Sequence, residues 1–384
     1  MRFEFTTAGR VVFGPGRLRE AGEITGALGK RALLVTGRNQ DRAQTLLALL
    51  REHGLETVEF AVVGEPDLET IRTGTALARA EWCDSVVGFG GGSVIDTAKA
   101  VAALITNQGD IMDYLEIIGG GKSLAEPPVP FVAIPTTAGT GSEVTCNSVI
   151  TSREHRIKVS LRSRSMLAKV ALVDPEVTYT LSPEVTATTG IDALTQLIEA
   201  YVCNRANPVT DGLCQEGISR VARSLRRAVE DGDNAAARED MAVASLFGGL
   251  ALVNAGLGAV HGIAGPLGGM VTAPHGAVCA ALLPEVVAVN LDALREREPK
   301  SDAIPRYAKV AKLLARNSGA SASDAVTWLR RLVTDLAIPG LTSHGLTVEQ
   351  LDELVEKASA ANSMKGNPIE LTPEELESII RAAL

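Results

Sequence analysis

The feature that most restricts this chain is a change of pattern at Leu181-Ser182-Pro183. Before it, short apolar runs alternate with segments of helical spacing. After it, helical periodicity is nearly unbroken to Leu384. Residues 31–36, 57–63, 85–89, 131–134 and 170–173 read as strands, with helical patterns over 41–53 and 68–81 between them. Strand–helix alternation of this kind predicts a parallel sheet covered by helices. Residues 2–13, with Phe3 and Phe5 on one side of a turn and Val11-Val12-Phe13 on the other, predict a small edge hairpin. Ser182 is a favourable N-cap with Pro183 at the first helical position. Beyond them, 190–203, 210–229, 235–255, 304–318, 321–336, 347–360 and 372–383 read as helices. The expected architecture is an α/β domain over residues 1–181 and a helical domain over 182–384, with a ligand crevice between them.

Charge excludes several kinds of partner. The 384 residues carry 46 acidic and 37 basic side chains, a formal charge of −9, and only 3% aromatics. Nucleic acid and anionic membranes call for clustered Lys and Arg, and single strands call for stacking platforms, so neither is expected. The five cysteines (Cys83, Cys146, Cys203, Cys214 and Cys279) are scattered, with no CxxC pair. Neither a disulfide framework nor a cysteine zinc site is indicated. The start, MRFEFTTAGRVVFG, lacks the apolar run of a signal peptide, which makes the cytoplasm the expected compartment. Met241 to Pro284 contains no Asp, Glu, Lys or Arg and is long enough to span a membrane. Its many glycines, Pro266, Pro274, Asn254, His261 and His275 instead predict buried helices packed through glycine around an interior site.

Two glycine-rich turns suggest where phosphates bind. Ser85-Val-Val-Gly-Phe-Gly-Gly-Gly-Ser93 is a buried strand running into a turn and then a helix carrying Asp96 and Lys99. Such a turn can be a tight corner. It can also let backbone N–H groups at a helix N-terminus approach a pyrophosphate. The next strand leads into Thr136-Thr137-Ala-Gly139-Thr140-Gly141-Ser142-Glu143, where hydroxyls alternate with glycine. Two such loops at consecutive strand ends predict a dinucleotide. The G-x-G-x-x-G fingerprint with its later acid is absent. The first long strand ends at Gly37-Arg38, with space and a positive charge where an acid would repel a 2′-phosphate. Arg38 is either a partner for that phosphate or a solvated loop residue.

The second half holds a different chemistry. Asp192 and Gln196 are four residues apart and share one helix face. His261 and His275 fall in the charge-free segment, while His53, His155 and His344 lie in polar surroundings and read as surface residues. Each buried histidine alone could be a core residue. As a set with Asp192 they suit a divalent ion of the zinc or iron type.

Taken together, Gly90-Gly-Gly-Ser93 with Asp96 and Lys99, the Pro135–Glu143 loop, Asp192-Ala-Leu-Thr, Val260-His261-Gly and Pro274-His275-Gly resemble the iron-containing (group III) alcohol dehydrogenases over essentially the whole chain. The resemblance implies a dinucleotide-binding domain of the dehydroquinate synthase-like type, a helical metal-binding domain, and usually a homodimer. It also implies hydride transfer between NAD(P) and a primary alcohol or aldehyde, with Fe2+ or Zn2+ as the metal. Carried over by position, Gly91, Gly92, Ser93, Asp96, Thr136, Thr137, Thr140 and Lys158 would contact the cofactor. Gly37 falls where NAD-preferring relatives carry aspartate. Asp192, His261 and His275 match three metal ligands and are the expected catalytic residues. The fourth ligand, ordinarily histidine, is Gln196 here, and a histidine that often relays protons is Gly265. Maleylacetate reductases work without metal, so metal-free carbonyl reduction is an alternative, although Asp192 is retained. Dehydroquinate synthase-like lyases share the fold, but the charge-free 241–284 segment offers no Lys or Arg for their phosphate substrates.

Overall fold

The computed structural model describes residues 2–384. Eight strands follow in chain order: β1 (Val11–Phe13), β2 (Arg31–Gly37), β3 (Glu56–Val62), β4 (Ser85–Gly90), β5 (Phe131–Pro135), β6 (Asn147–Ser152), β7 (Ile157–Arg162) and β8 (Val170–Val173). Six of them form one sheet in the order β1-β8-β5-β4-β2-β3, with every pairing parallel. Parallel strands are covered on both faces, so the inner ones are continuous apolar runs rather than alternating ones. Every residue of β4, β5 and β8 is buried, whereas the edge strand β3 alternates in exposure. Helices α1 (Ala21–Gly26) and α2 (Gln44–Glu52) supply Ile24, Leu46, Leu47 and Leu50 to one face, against Leu34, Val87 and Ile134. On the other side, α3 (Leu68–Ala80) and α4 (Gly92–Thr106) join a core with Ile150, Val159 and Leu161.

Two features differ from the sequence expectation. Residues 2–10 form no strand and no hairpin; β1 pairs with β8 alone. Thr6 instead exchanges hydrogen bonds with the Asn254 side-chain amide, its N–H donating at 2.6 Å and its carbonyl accepting at 2.8 Å. Those bonds satisfy the backbone that a hairpin would otherwise pair. Conversely, β6 and β7 form an antiparallel hairpin, Asn147 opposite Arg162 through Ser152 opposite Ile157, that the reading above did not include.

The described residues divide into a sheet unit, residues 7–137 and 141–179, and a helical unit, residues 2–6, 138–140 and 180–384. The helical unit contains α5 (Pro183–Val202), α6 (Pro208–Glu230), α7 (Ala235–Asn254), α8 (Ala259–Met270), α9 (His275–Arg297), α10 (Ala303–Ala315), α11 (Ala322–Asp335), α12 (Leu351–Ser359) and α13 (Pro373–Ala382). Ser182 caps α5 by accepting from the Val185 N–H at 3.2 Å, with Pro183 at the first position. Sixteen of the twenty residues of α5 are buried, making it the central helix of this unit. Helix α9 is long and apolar enough to cross a membrane, but 78% of its most apolar window is buried inside the protein. It is a core helix by packing.

Within the sheet unit a buried lysine ties the second glycine loop to α4. The Lys99 ammonium donates to Ser142 Oγ and Thr145 Oγ1, both at 3.0 Å, and to the Asn147 carbonyl at 2.6 Å. Next to it burial pushes the Glu143 carboxyl up to about 7, partly opposed by a hydrogen bond from its own backbone and by the Lys99 charge. A carboxyl whose folded pKa exceeds its ordinary 4.5 stabilises fully below that value and loses the contribution as pH rises through about 7. Glu143→Gln, neutral and similar in shape, should remove that slope. Denaturation of both proteins between about pH 4 and pH 8 should show the variant gaining on the order of 3 kcal/mol relative to wild type as pH rises. Parallel curves would show that Glu143 does not carry the effect.

Candidate functional site

The sheet unit presents one glycine- and hydroxyl-rich edge. Thr36 of β2 pairs with Phe89 of β4, and Gly90 of β4 pairs with Pro135 of β5, so three neighbouring strands end at one level. The Thr136 N–H donates to the Gly90 carbonyl at 2.9 Å and holds the two loops together. Gly37, Arg38, Gly91, Gly92, Ser93, Thr136 and Thr137 therefore lie along one carboxyl-terminal edge, where open α/β sheets bind ligands. Gly91 is the N-cap of α4, with no side-chain acceptor on the first turn. Those N–H groups and the helix dipole remain available to an anion. A side chain on Gly91 would meet Thr137 at 3.3 Å, whereas one on Gly37 would touch only Val94, at 4.0 Å. Arg38 is exposed and makes no ion pair among the described residues.

Three other expected cofactor residues have partners within the chain or group elsewhere. Asp96 is committed within the protein: Oδ2 accepts the Val149 N–H at 2.8 Å, and Oδ1 accepts from Ser142 Oγ and Lys99. A carboxylate so occupied positions the hairpin and loop. Lys158, on β7, pairs with Glu65 at 3.3 Å. Thr140 groups with the helical unit.

In the helical unit, three helices bring the second set together. Asp192, Gln196 and Glu199 lie along one buried face of α5, at spacings of four and then three residues. Glu199 accepts the Val260 N–H of α8 through Oε1 at 2.7 Å, and Asn367 accepts the preceding Ala259 N–H at 3.1 Å. These acceptors satisfy donors that every helix N-terminus leaves unpaired, and the carboxylate also complements the dipole. Its other oxygen sits 2.6 Å from His261 Nδ1. A carboxylate accepts, so Nδ1 carries a proton and Nε2 is the nitrogen that faces inward. The start of α9 packs so close to α5 that a Cβ on Gly276 would be 2.6 Å from the Thr188 carbonyl. Glycine at 276 is what lets His275 reach the site.

The inward atoms converge. Asp192 Oδ1 is 3.4 Å from His261 Nε2 and 3.8 Å from His275 Nε2, and the two rings lie 5.4 Å apart at 52°. Cys279 joins them, its Sγ 3.6 Å from His275 Nε2 and 4.0 Å from His261 Nε2. All four donor atoms lie within 4.8 Å of one another. The sequence reading left Cys279 out of this cluster; the missed signal was its spacing of four from His275 on one helix. Gln196 lies beside the cluster, but its Nε2 donates to Asp192 Oδ2 at 3.2 Å. Among the other histidines, His53 and His155 are exposed, and His344 is half-buried.

Electrostatics show what the cluster needs. Burial opposes charge on His261, but Cys279, Glu199 and Asp192 outweigh it and raise its pKa well above the usual imidazole value. Burial raises Asp192, yet the two imidazoles bring its pKa below the carboxylate range. Acidic donors gathered out of water demand a compensating positive charge. Asp192 Oδ1, in a side chain 2% exposed, has no hydrogen-bond partner. An orphaned carboxylate oxygen beside two imidazole nitrogens is the donor chemistry of a divalent transition metal. Glu199→Gln should keep the helix cap but weaken its hold on His261, lowering zinc affinity about 10–100-fold in a chelator-competition titration. Unchanged affinity would show that Glu199 serves α8 only.

Comparison with known proteins covers both halves of the chain. Residues 8–175 match the iron-containing alcohol dehydrogenase family, and residues 186–384 match its C-terminal family. A 1,3-propanediol dehydrogenase of Klebsiella pneumoniae is 38% identical, covering 99% of this chain and 98% of that protein. An NAD-dependent methanol dehydrogenase of Bacillus methanolicus is 35% identical over 97% of each. The crystal structure of a 1,3-propanediol oxidoreductase superposes with a TM-score of 0.92, at 37% identity and full coverage of both chains. A sulfoacetaldehyde reductase from Bifidobacterium kashiwanohense, solved with NAD+, gives 0.86 at 29% identity, covering 100% of this chain and 99% of that one.

Proposed function

The chain belongs to the iron-containing alcohol dehydrogenase family, and from that premise we propose that Asp192, His261 and His275 hold its divalent metal. The activity is metal-assisted, NAD(P)-dependent hydride transfer between nicotinamide and a primary alcohol or aldehyde. The observation that carries the residue assignment is the convergence of two imidazole nitrogens on an unpartnered, buried carboxylate oxygen.

When bound, the metal supplies Lewis acidity that polarises the carbonyl or stabilises the alkoxide, and the nicotinamide supplies or accepts the hydride. The chain's own residues supply position and charge. Gly91, Gly92 and Ser93 offer backbone donors to the pyrophosphate, with the Thr136 and Thr137 hydroxyls beside them. Gly37 leaves room for a 2′-phosphate, and the exposed Arg38 offers it a counter-charge. Glu199 fixes the tautomer and orientation of His261. Burial of Asp192 and His261 keeps water from screening their charges.

This reading also takes the protein as a homodimer in a reducing cytoplasm, acting on small molecules without nucleic-acid or membrane partners. The five cysteines, all free and buried, fit such a compartment, and light scattering checks the dimer.

Exhaustive chelation should abolish alcohol-dependent nicotinamide reduction, and zinc or ferrous iron should restore it. Activity that survives chelation would favour metal-free carbonyl reduction. His275→Ala should lower kcat/KM on the order of 10²-fold or more and release the metal. Gly37→Asp should shift the NADP-to-NAD ratio of kcat/KM toward NAD by about tenfold, through charge repulsion. An unchanged ratio would place the 2′-position elsewhere.

A further inference from the structure

We infer that Cys279, not Gln196, is the fourth protein donor of the metal site, giving it one carboxylate, two imidazoles and one thiolate. The inference rests on the metal site proposed above and goes beyond it, because the family pattern expects a donor from position 196 and none from 279. Position 279 is reached from α9, four residues after His275, so both side chains project from one helix face. Cys279 is fully buried and its sulfur faces both imidazole Nε2 atoms.

Distances place Cys279 within the reach of a metal held by the other three donors. A tetrahedral ion with ordinary zinc–nitrogen, zinc–oxygen and zinc–sulfur bonds separates its donors by about 3.3–3.6 Å. Four of the six separations among Asp192 Oδ1, His261 Nε2, His275 Nε2 and Cys279 Sγ are 3.4, 3.8, 3.6 and 4.0 Å. The other two lie within 4.8 Å. The four separations between the imidazoles and the other two donors thus lie within about half an ångström of the size needed.

Gln196 has a different occupation. Its amide nitrogen faces Asp192 Oδ2, where an amide oxygen would meet a like partial charge. Its Oε1 points at Gly248, lying 2.8 Å from where a Cβ on that glycine would stand, and accepts no hydrogen bond there. Gln196 therefore steadies the far oxygen of Asp192 and leaves Oδ1 free. A thiolate is also the softer donor, so the set favours zinc-like ions over magnesium or manganese.

Cobalt titration separates the possibilities. Wild-type protein loaded with Co2+ should bind about one equivalent per chain and show the intense near-ultraviolet absorption of thiolate-to-cobalt charge transfer. Cys279→Ser should lose that absorption and weaken Co2+ and Zn2+ binding by about tenfold or more, while Gln196→Ala keeps the absorption. X-ray absorption of the zinc-loaded wild type needs no variant and should show one sulfur scatterer at about 2.3 Å. Cobalt bound without charge transfer, or a zinc shell of nitrogen and oxygen alone, would overturn the thiolate and leave the metal site standing. Wild-type protein that binds neither ion would overturn the metal site itself.

Discussion

The carboxylate of Glu199 is the interaction on which the helical site depends. It is 5% exposed, and each of its oxygens has a specific donor: the Val260 N–H at the start of α8, and the His261 imidazole one residue further on. A buried carboxylate left unpaired would cost several kcal/mol, so its burial is sustained only by satisfying both oxygens at once. This couples a structural need to a chemical one. The same group that caps α8 fixes which imidazole nitrogen is protonated, and hence which one faces Asp192. Because Asp192 and Glu199 lie two turns apart on α5, a single helix sets both the proposed ligand and the group that orients its neighbour.

The sheet unit solves the opposite problem. Where the helical site concentrates donors in a dry interior, the sheet edge keeps backbone N–H groups unobstructed. Parallel pairing brings the ends of β2, β4 and β5 level, and small residues at 37, 91 and 92 leave the first turn of α4 open. Polar side chains that could compete for those N–H groups are drawn away. Asp96 and Lys99 are spent on the second loop and the hairpin, which holds that loop in place without closing the edge.

Much of this was legible in the sequence, for identifiable reasons. The inner strands β4, β5 and β8 announce themselves because two-sided burial demands unbroken apolar runs. The hairpin β6–β7 escaped because Asn147-Ser-Val-Ile-Thr-Ser152 mixes hydroxyls into its buried positions, with Ser148 and Ser152 fully covered. The edge hairpin expected at residues 2–13 failed because alternation alone does not say what the backbone will pair with. Asn254, nearly 250 residues away, supplies the partner. Asp192, His261 and His275 stood out because charge is scarce around them. Cys279 did not, because a cysteine in an apolar helix reads as a small hydrophobe until its neighbours are known.

Gly265 shows how the same site constrains the proton. Hydride transfer to a carbonyl leaves an oxygen that must gain a proton, and at 265 the chain provides no side chain to deliver one. A Cβ there would have nothing within 4 Å, so the position is open space on α8, one turn beyond His261. Of the two imidazoles, His261 is locked by Glu199 and only 8% exposed, while the His275 side chain is 31% exposed. A relay through His261 would require breaking the bond that holds its tautomer. Water is small enough to occupy such a space and can bridge polar groups without a dedicated side chain. The cluster thus holds its charged donors in place, and position 265 leaves room for water where a side chain would stand. Its catalysis should accordingly be sensitive to whatever fills the space beside Gly265, more than to any single ionisable group there.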